Sequence, residues 1–257
     1  MAAKPKTARG VRPNRGVEAR YRKELQVMVA DMARSAEYWL VAQYKKSEPV
    51  AMDALPAADM AERLKEVSSR WIGKFNDMSA KISKMFADGA RKSTDHAFQQ
   101  SLKDAGWAVE FKMTRAMQDV MKASVVENVS LIKSIPQQYF TQVEGIVMRG
   151  FQRGRDLHYI TEELKKRYDI TDRRAAFIAN DQCNKLTAAV TKARRQELGI
   201  TEAIWQHSHA GREPRKSHVA ADGKKFKIAE GCLIDGKYIQ PGEEINCRCT
   251  SKSVLPF

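Results

Sequence analysis

MAERLKEVSSRWIGKFNDMSAKISKMF, residues 60–86, decides how this chain is read. Its apolar residues Met60, Leu64, Val67, Trp71, Phe75, Met78, Ile82 and Met85 recur at alternating steps of three and four. On an α-helix that spacing gathers all of them into a single stripe about seven turns long, with polar residues on the opposite face. A stripe of that length is stable only when packed against other helices, so its aromatic and Met side chains belong to a core rather than to a cofactor pocket.

The flanking sequence extends the helical reading. From Glu18 to about Lys46, Leu25, Val29, Met32, Ala36 and Leu40 keep the same period, and SEPVAMDALPAAD (47–59), with Pro49 and Pro56, reads as a linker. After Gly106 a helical run from Trp107 to about Ile135 carries Phe111, Met117, Val120, Met121 and Val125, and Pro136 is expected to open the next helix through Val143 and Val147. Past the break RGFQRGRD (149–156), Asp156 is the expected N-cap of LHYITEELKKRY. Thr171 is the expected N-cap of DRRAAFIANDQCNKLTAAVTKARRQEL, and Gly199 its terminator. Residues 1–23 hold eight Lys or Arg against one Glu, broken by Pro and Gly, and read as a flexible basic arm. Lys4, Lys6, Arg9, Arg12 and Arg15 are its candidate contacts to phosphates or to an acidic partner.

Beyond Gly199 the period changes. EAIWQHSHA (202–210) alternates, KKFKIAEGCLIDGKYI (224–239) holds two short apolar runs with Asp235-Gly236 as a hairpin signal, and EINCRCTSKSV (244–254) alternates again. The expected class is α+β: a helical body with long helices, residues 24–170, then a module over 171–257 made of one long helix and a small β-rich part.

The bulk numbers set limits. With 257 residues, 43% of them hydrophobic, the chain can bury a real core. Its 45 Lys and Arg against 31 Asp and Glu give +14 at pH 7, which favours contact with nucleic acid or a strongly acidic surface. Four cysteines do not make the framework of a small secreted domain, and the N-terminus lacks the apolar block of a signal peptide. No window approaches the length of a membrane span, so a soluble protein with reduced thiols, made in a cytosol-like compartment, is expected.

A period of two places Trp205, His207 and His209 on one face of a strand and Ile245, Cys247 and Cys249 on one face of another. With His218 and Cys232, six potential metal ligands lie between 207 and 249. A set of His218, Cys232, Cys247 and Cys249 has the donor types zinc takes, although C-x-C is not the C-x-x-C knuckle. Buried thiols and ordinary histidines without metal are the competing reading. His218, Asp222 and Asn246 could also serve a nuclease as base, acid and orienting amide, but a histidine-metal nuclease needs a second histidine after the asparagine, and none follows His218. Cys183 sits mid-helix with no histidine nearby in sequence, and no Gly-rich phosphate loop, G-x-S-x-G or His-Glu-x-x-His motif is present.

Taken in order, several pieces resemble the Mu F-like minor head proteins of tailed bacteriophages, the phage head morphogenesis family. They are an I-A-x-D-Q helix containing Asp181 and Gln182, an Arg-rich stretch ending in ELGI, and Trp205; then Arg215, His218, Asp222, Gly223 and Phe226; then Pro241-Gly242; and finally Asn246-Cys247-Arg248-Cys249. The likeness covers roughly 175 to 254. Where such proteins usually carry Thr or Ser and an acidic residue after the tryptophan, this chain has HSHAGREPRKSH, so His207 and His209 are not family positions.

The resemblance implies a structural, non-enzymatic virion protein, oligomeric in the head and bound near the portal protein inside the capsid. Contacts with major capsid or scaffold proteins, and with phage DNA, would follow. A role in head assembly, genome packaging or ejection goes with that position, as does synthesis in the bacterial cytoplasm. No cofactor is implied. An enzyme module, nuclease or toxin, and a DNA-binding organiser of the packaged genome are the alternatives; the eight residues after Cys249 leave no room for an appended toxin domain. On the family reading, Asn246–Cys249 is a strand that locks the β module: Cys247 and Cys249 face one side, Asn246 and Arg248 face the other, and Asn246 is buried against the turn after Pro241-Gly242. His218 hydrogen-bonds Asp222.

Overall fold

The computed structural model describes residues 6–46, 56–154, 156–209 and 213–257. Lys4 and most of the expected linker lie outside these residues. Four long helices carry the chain: α1 (Arg15–Lys46), α2 (Pro56–Asp104), α3 (Arg115–Gln152) and α4 (Leu157–Glu197). A strand, β1 (Thr7–Ala8), precedes them. After them come β2 (Glu202–Gln206), the short α5 (Lys216–Ala220), β3 (Lys225–Lys227), β4 (Cys232–Ile234), β5 (Lys237–Ile239) and β6 (Thr250–Val254). The class is α+β, as the sequence indicates. No described helix is long and apolar enough to cross a membrane.

Residues 6–23 are not a flexible arm. β1 pairs with β6, Thr7 opposite Val254, and the Leu255 N–H donates to the Lys6 carbonyl at 2.9 Å. Asn14 is a true N-cap, its Oδ1 accepting from the Gly16 and Val17 N–H groups at 2.9 and 3.0 Å. α1 therefore starts at Arg15, and the expected stripe of Leu25, Val29, Met32, Ala36 and Leu40 is buried.

The α2 stripe is buried from Met60 through Ile82 except at Met78, which is half-buried. At Met85 it fails, with 62% of that residue exposed and Phe86 buried instead. A repeat of 3.5 residues drifts about 20° per heptad against a straight helix of 3.6, so over seven turns the buried face moves on by one position. Residues 107–114, expected as helix, form no regular element. Gly106 takes φ +84°, and Phe111 stacks on Phe98 with centroids 5.8 Å apart. Pro136 does not open a helix but lies inside α3. The lost hydrogen bond is offset by burial of Ile132, Ile135, Tyr139, Phe140 and Val143 around it.

Asp156 caps α4 as expected, its Oδ1 accepting from the Tyr159 N–H at 2.8 Å. Thr171 starts no new helix; its hydroxyl donates to the Arg167 carbonyl at 2.8 Å within α4, which continues to Glu197. There Gly199, at φ +68°, ends it with a bond from the Ile200 N–H to the Arg195 carbonyl at 2.9 Å. At Gly150 a Cβ would come within 2.3 Å of Ile160 Cγ1, so only glycine lets the start of α4 pack against the end of α3.

The chain forms two compact units. One takes in Arg20–Ser83 and Glu127–Ala179; the other takes in the described residues up to Ala19, Lys84–Val126 and Asn180–Phe257. All four long helices contribute to both, so the boundaries expected at 23/24 and 170/171 fall inside α1 and α4. In the second unit β1, β6, β2 and β3 form an antiparallel sheet in that order, and β4 and β5 form a hairpin. The hairpin turns through Asp235 (φ 50°) and Gly236 (φ 75°), the paired positive φ of a tight two-residue turn. Ala203 and Trp205 of β2 face Phe98, Leu102 and Phe226 in its core.

Candidate functional site

β2 ends at Gln206, so His207 and His209 lie beyond it rather than along its face with Trp205. His207 is buried, while His209 turns outward at φ 50°. Asp222 belongs to this corner: its Oδ1 accepts from the His207 N–H at 2.8 Å, and its Oδ2 lies 3.8 Å from His209 Nε2. Asp222 does not hold His218, contrary to expectation.

His218 sits on α5, the one buried residue of that helix. Its helix is followed by a turn at Gly223 (φ 78°), whose N–H donates to the Trp205 carbonyl at 3.0 Å, and the Trp205 N–H donates to the Lys224 carbonyl at 2.8 Å. Trp205 meets the imidazole edge-on at 5.4 Å. His218 Nε2 faces Glu244 Oε2 at 3.1 Å, and Glu244 also lies 3.4 Å from Arg215. Donation of the Nε2 proton to this carboxylate leaves the Nδ1 lone pair free on the other side.

The Asn246–Cys249 segment is not a strand. Ile245 is 61% exposed, and Asn246 is exposed in the left-handed region at φ 57°. Regular pairing begins only at Thr250. The Asn246 side chain buries nothing after Pro241-Gly242; instead its backbone N–H donates to Asp181 Oδ1 on α4 at 2.6 Å. Lys185 holds the other Asp181 oxygen at 3.1 Å. The Arg215 guanidinium donates to the Ile245 carbonyl at 2.9 Å, and the Cys247 N–H to the Glu244 carbonyl at 2.9 Å. So anchored, the segment turns both thiols inward. Cys247 Sγ lies 3.6 Å and Cys249 Sγ 3.7 Å from His218 Nδ1, and all three residues are buried.

Gly242, at φ +87°, donates its N–H to Cys247 Sγ at 3.4 Å. A hydrogen bond from Cys249, with this backbone donor and the nearby imidazole, pulls the Cys247 thiol well below the ordinary thiol range. The shared proton pushes Cys249 up. Pro241 is buried and Arg248 half-buried beside them. Cys232 does not join the cluster; it lies on β4 in the core, its thiol raised by burial. Cys183 is buried and pushed up to about 12, a protonated thiol rather than a nucleophile.

Other motif residues are structural. Arg194 grips Asp95 through two bonds of 2.8 and 2.9 Å and donates to the Lys112 carbonyl at 2.7 Å, with its guanidinium over the Phe111 ring. Arg195 donates to both Ser251 and Ser253 on β6 at 2.7 to 2.9 Å, and complete burial lowers its pKa to about 10. Gln182 is buried next to Asp181. Of the basic arm, Arg9 pairs with Asp104 at 2.9 Å, Arg15 pairs with Glu18, Lys6 lies over the Phe257 ring and Arg12 is exposed. Glu244, Asp95 and Asn14 are the positions the sequence reading missed. Glu244 stands three residues before Cys247 in PGEEINC, and that spacing alone signals no contact with His218.

Residues 141–252 match the family described as Phage Mu protein F like protein. A Haemophilus influenzae relative, described as an uncharacterized protein, is 38% identical over 135 residues, which are 52% of this chain. The aligned region spans only 29% of that relative's length. No solved structure matches. The family region opens in α3, ahead of the motif residues, and runs into β6, taking in Asp181, the buried arginines, the α5 histidine and both converging thiols. Over residues 141–252 this chain is similar to the Phage Mu protein F like family, and the match takes in the motif residues from Asp181 to Cys249.

Proposed function

We propose that the protein is a minor head protein of a tailed bacteriophage, seated at the portal on the inner side of the head and acting in head assembly and in genome packaging or delivery. The observation that carries this reading is the Mu F-like match over 141–252, a family of phage head morphogenesis. The local chemistry agrees with a structural role. Motif residues that could have formed a reactive cleft are spent on construction: Asp181 on the Asn246 backbone, Arg194 on Asp95, and Arg195 on β6.

The nuclease alternative lacks support in the geometry, since Asp222 and Asn246 are turned to other partners than His218. Co-expression of the full chain with the portal protein of its own phage tests the position. Co-elution through size exclusion at physiological salt is the expected result. Separation of the two proteins, with the chain instead bound to capsid or scaffold protein, would move it away from the portal.

A further inference from the structure

We propose that His218, Cys247 and Cys249 form a zinc site, completed by a solvent molecule, that clips α5 to the segment leading into β6. Three soft or borderline donors converge here with their side chains buried: His218 is 3%, Cys247 3% and Cys249 6% exposed. Their ligating atoms all lie within 4.8 Å of one another. A tetrahedral zinc with bonds of about 2.3 Å to sulfur and about 2.0 Å to nitrogen separates a nitrogen from a sulfur donor by about 3.6 Å. The two separations from His218 Nδ1 are 3.6 and 3.7 Å.

One Nδ1 lone pair can accept from one thiol, yet two sulfurs converge on it at nearly equal distance. The Glu244 carboxylate on Nε2 supplies the outer partner that orients a ligating imidazole and fixes its tautomer. The Gly242 N–H on Cys247 is a donor suited to a thiolate. Two thiolates and a neutral imidazole balance a divalent cation, so the filled site carries no net charge into the core. Among the described residues no further His, Cys, Asp or Glu joins the group, which leaves the fourth corner to solvent.

The clip ties together positions 29 and 31 residues apart, in a module whose β3, β4 and β5 are three residues each. Metal binding there would therefore be part of folding stability.

The test uses the full chain, purified with a reductant and without chelator. Elemental analysis should find about one zinc per chain. After stripping, added cobalt(II) should give sulfur-to-metal charge transfer and the intense visible bands of a tetrahedral thiolate site. Cys249→Ser and His218→Gln should abolish the cobalt spectrum, while Cys232→Ser and Cys183→Ser should keep it. Because those variants could misfold, the wild-type protein is also heated with and without chelator, and chelator should lower the melting temperature. Zinc-free wild type that also gives no cobalt spectrum overturns the proposal. So does a Cys247–Cys249 disulfide in the purified protein, which would mark a redox pair, and so does metal retained in Cys247→Ser/Cys249→Ser. Metal content is read on the isolated chain, so it stands or falls separately from the portal assignment.

Discussion

At the scale of single residues, the buried arginines carry more of the structure than the surface charges do. Arg194 is fully desolvated and answered by the Asp95 carboxylate, which also accepts from Arg91 at 2.8 Å. Removing Asp95 would leave Arg194 with Glu197, which accepts from its Nη1 at 2.7 Å, as the remaining carboxylate, so the cost is that of charge-assisted hydrogen bonds, about 1–3 kcal/mol. Asp95→Asn should therefore lower unfolding free energy by that amount in urea titrations. A change below about 0.5 kcal/mol would mean that the pair is as weak as an exposed one. The arginines were legible as a family motif but their partners were not, because Asp95 lies 99 residues away in sequence. The thiols give the complementary lesson. Alternation correctly turned Cys247 and Cys249 the same way, but for the wrong reason. A left-handed Asn246 pinned by Asp181 replaces the strand, and no local period announces a bond across 65 residues.

At the scale of elements, the long helices were readable because their apolar period is strong, and their ends were readable where a cap was written into the sequence. Asp156 and Gly199 behaved as read; Pro136 and Thr171 did not, because tertiary burial outweighs a single local signal. The drift of the α2 stripe makes a sharp test. Phe86→Ala should cost about 3–5 kcal/mol, whereas Met85→Lys should stay within about 0.5 kcal/mol. Thermal or urea unfolding of the two variants decides between the drifted face and a strict repeat, which reverses the order. The small strands were found by alternation and by the Asp235-Gly236 turn. β1 was hidden inside a run of basic residues that reads as a tail.

At the scale of the whole molecule, the division into two compact units was not visible, since it cuts through four continuous helices rather than between sequence segments. Composition showed the +14 charge but not where it goes. The net figure already subtracts the acids that pair with Arg9, Arg15 and Arg194, so among these four only Arg195, buried against Ser251 and Ser253, is a positive charge taken out of a polyanion's reach without an acid beside it. The virion reading rests on the Mu F-like region. Quantitative mass spectrometry of purified DNA-filled heads from the phage that carries this chain tests that claim most directly. The account predicts the chain in the heads at a fixed low copy number relative to the portal protein, retained after exposed proteins are removed by protease. Its absence from purified heads, with the chain recovered only from the infected-cell lysate, would contradict a head protein.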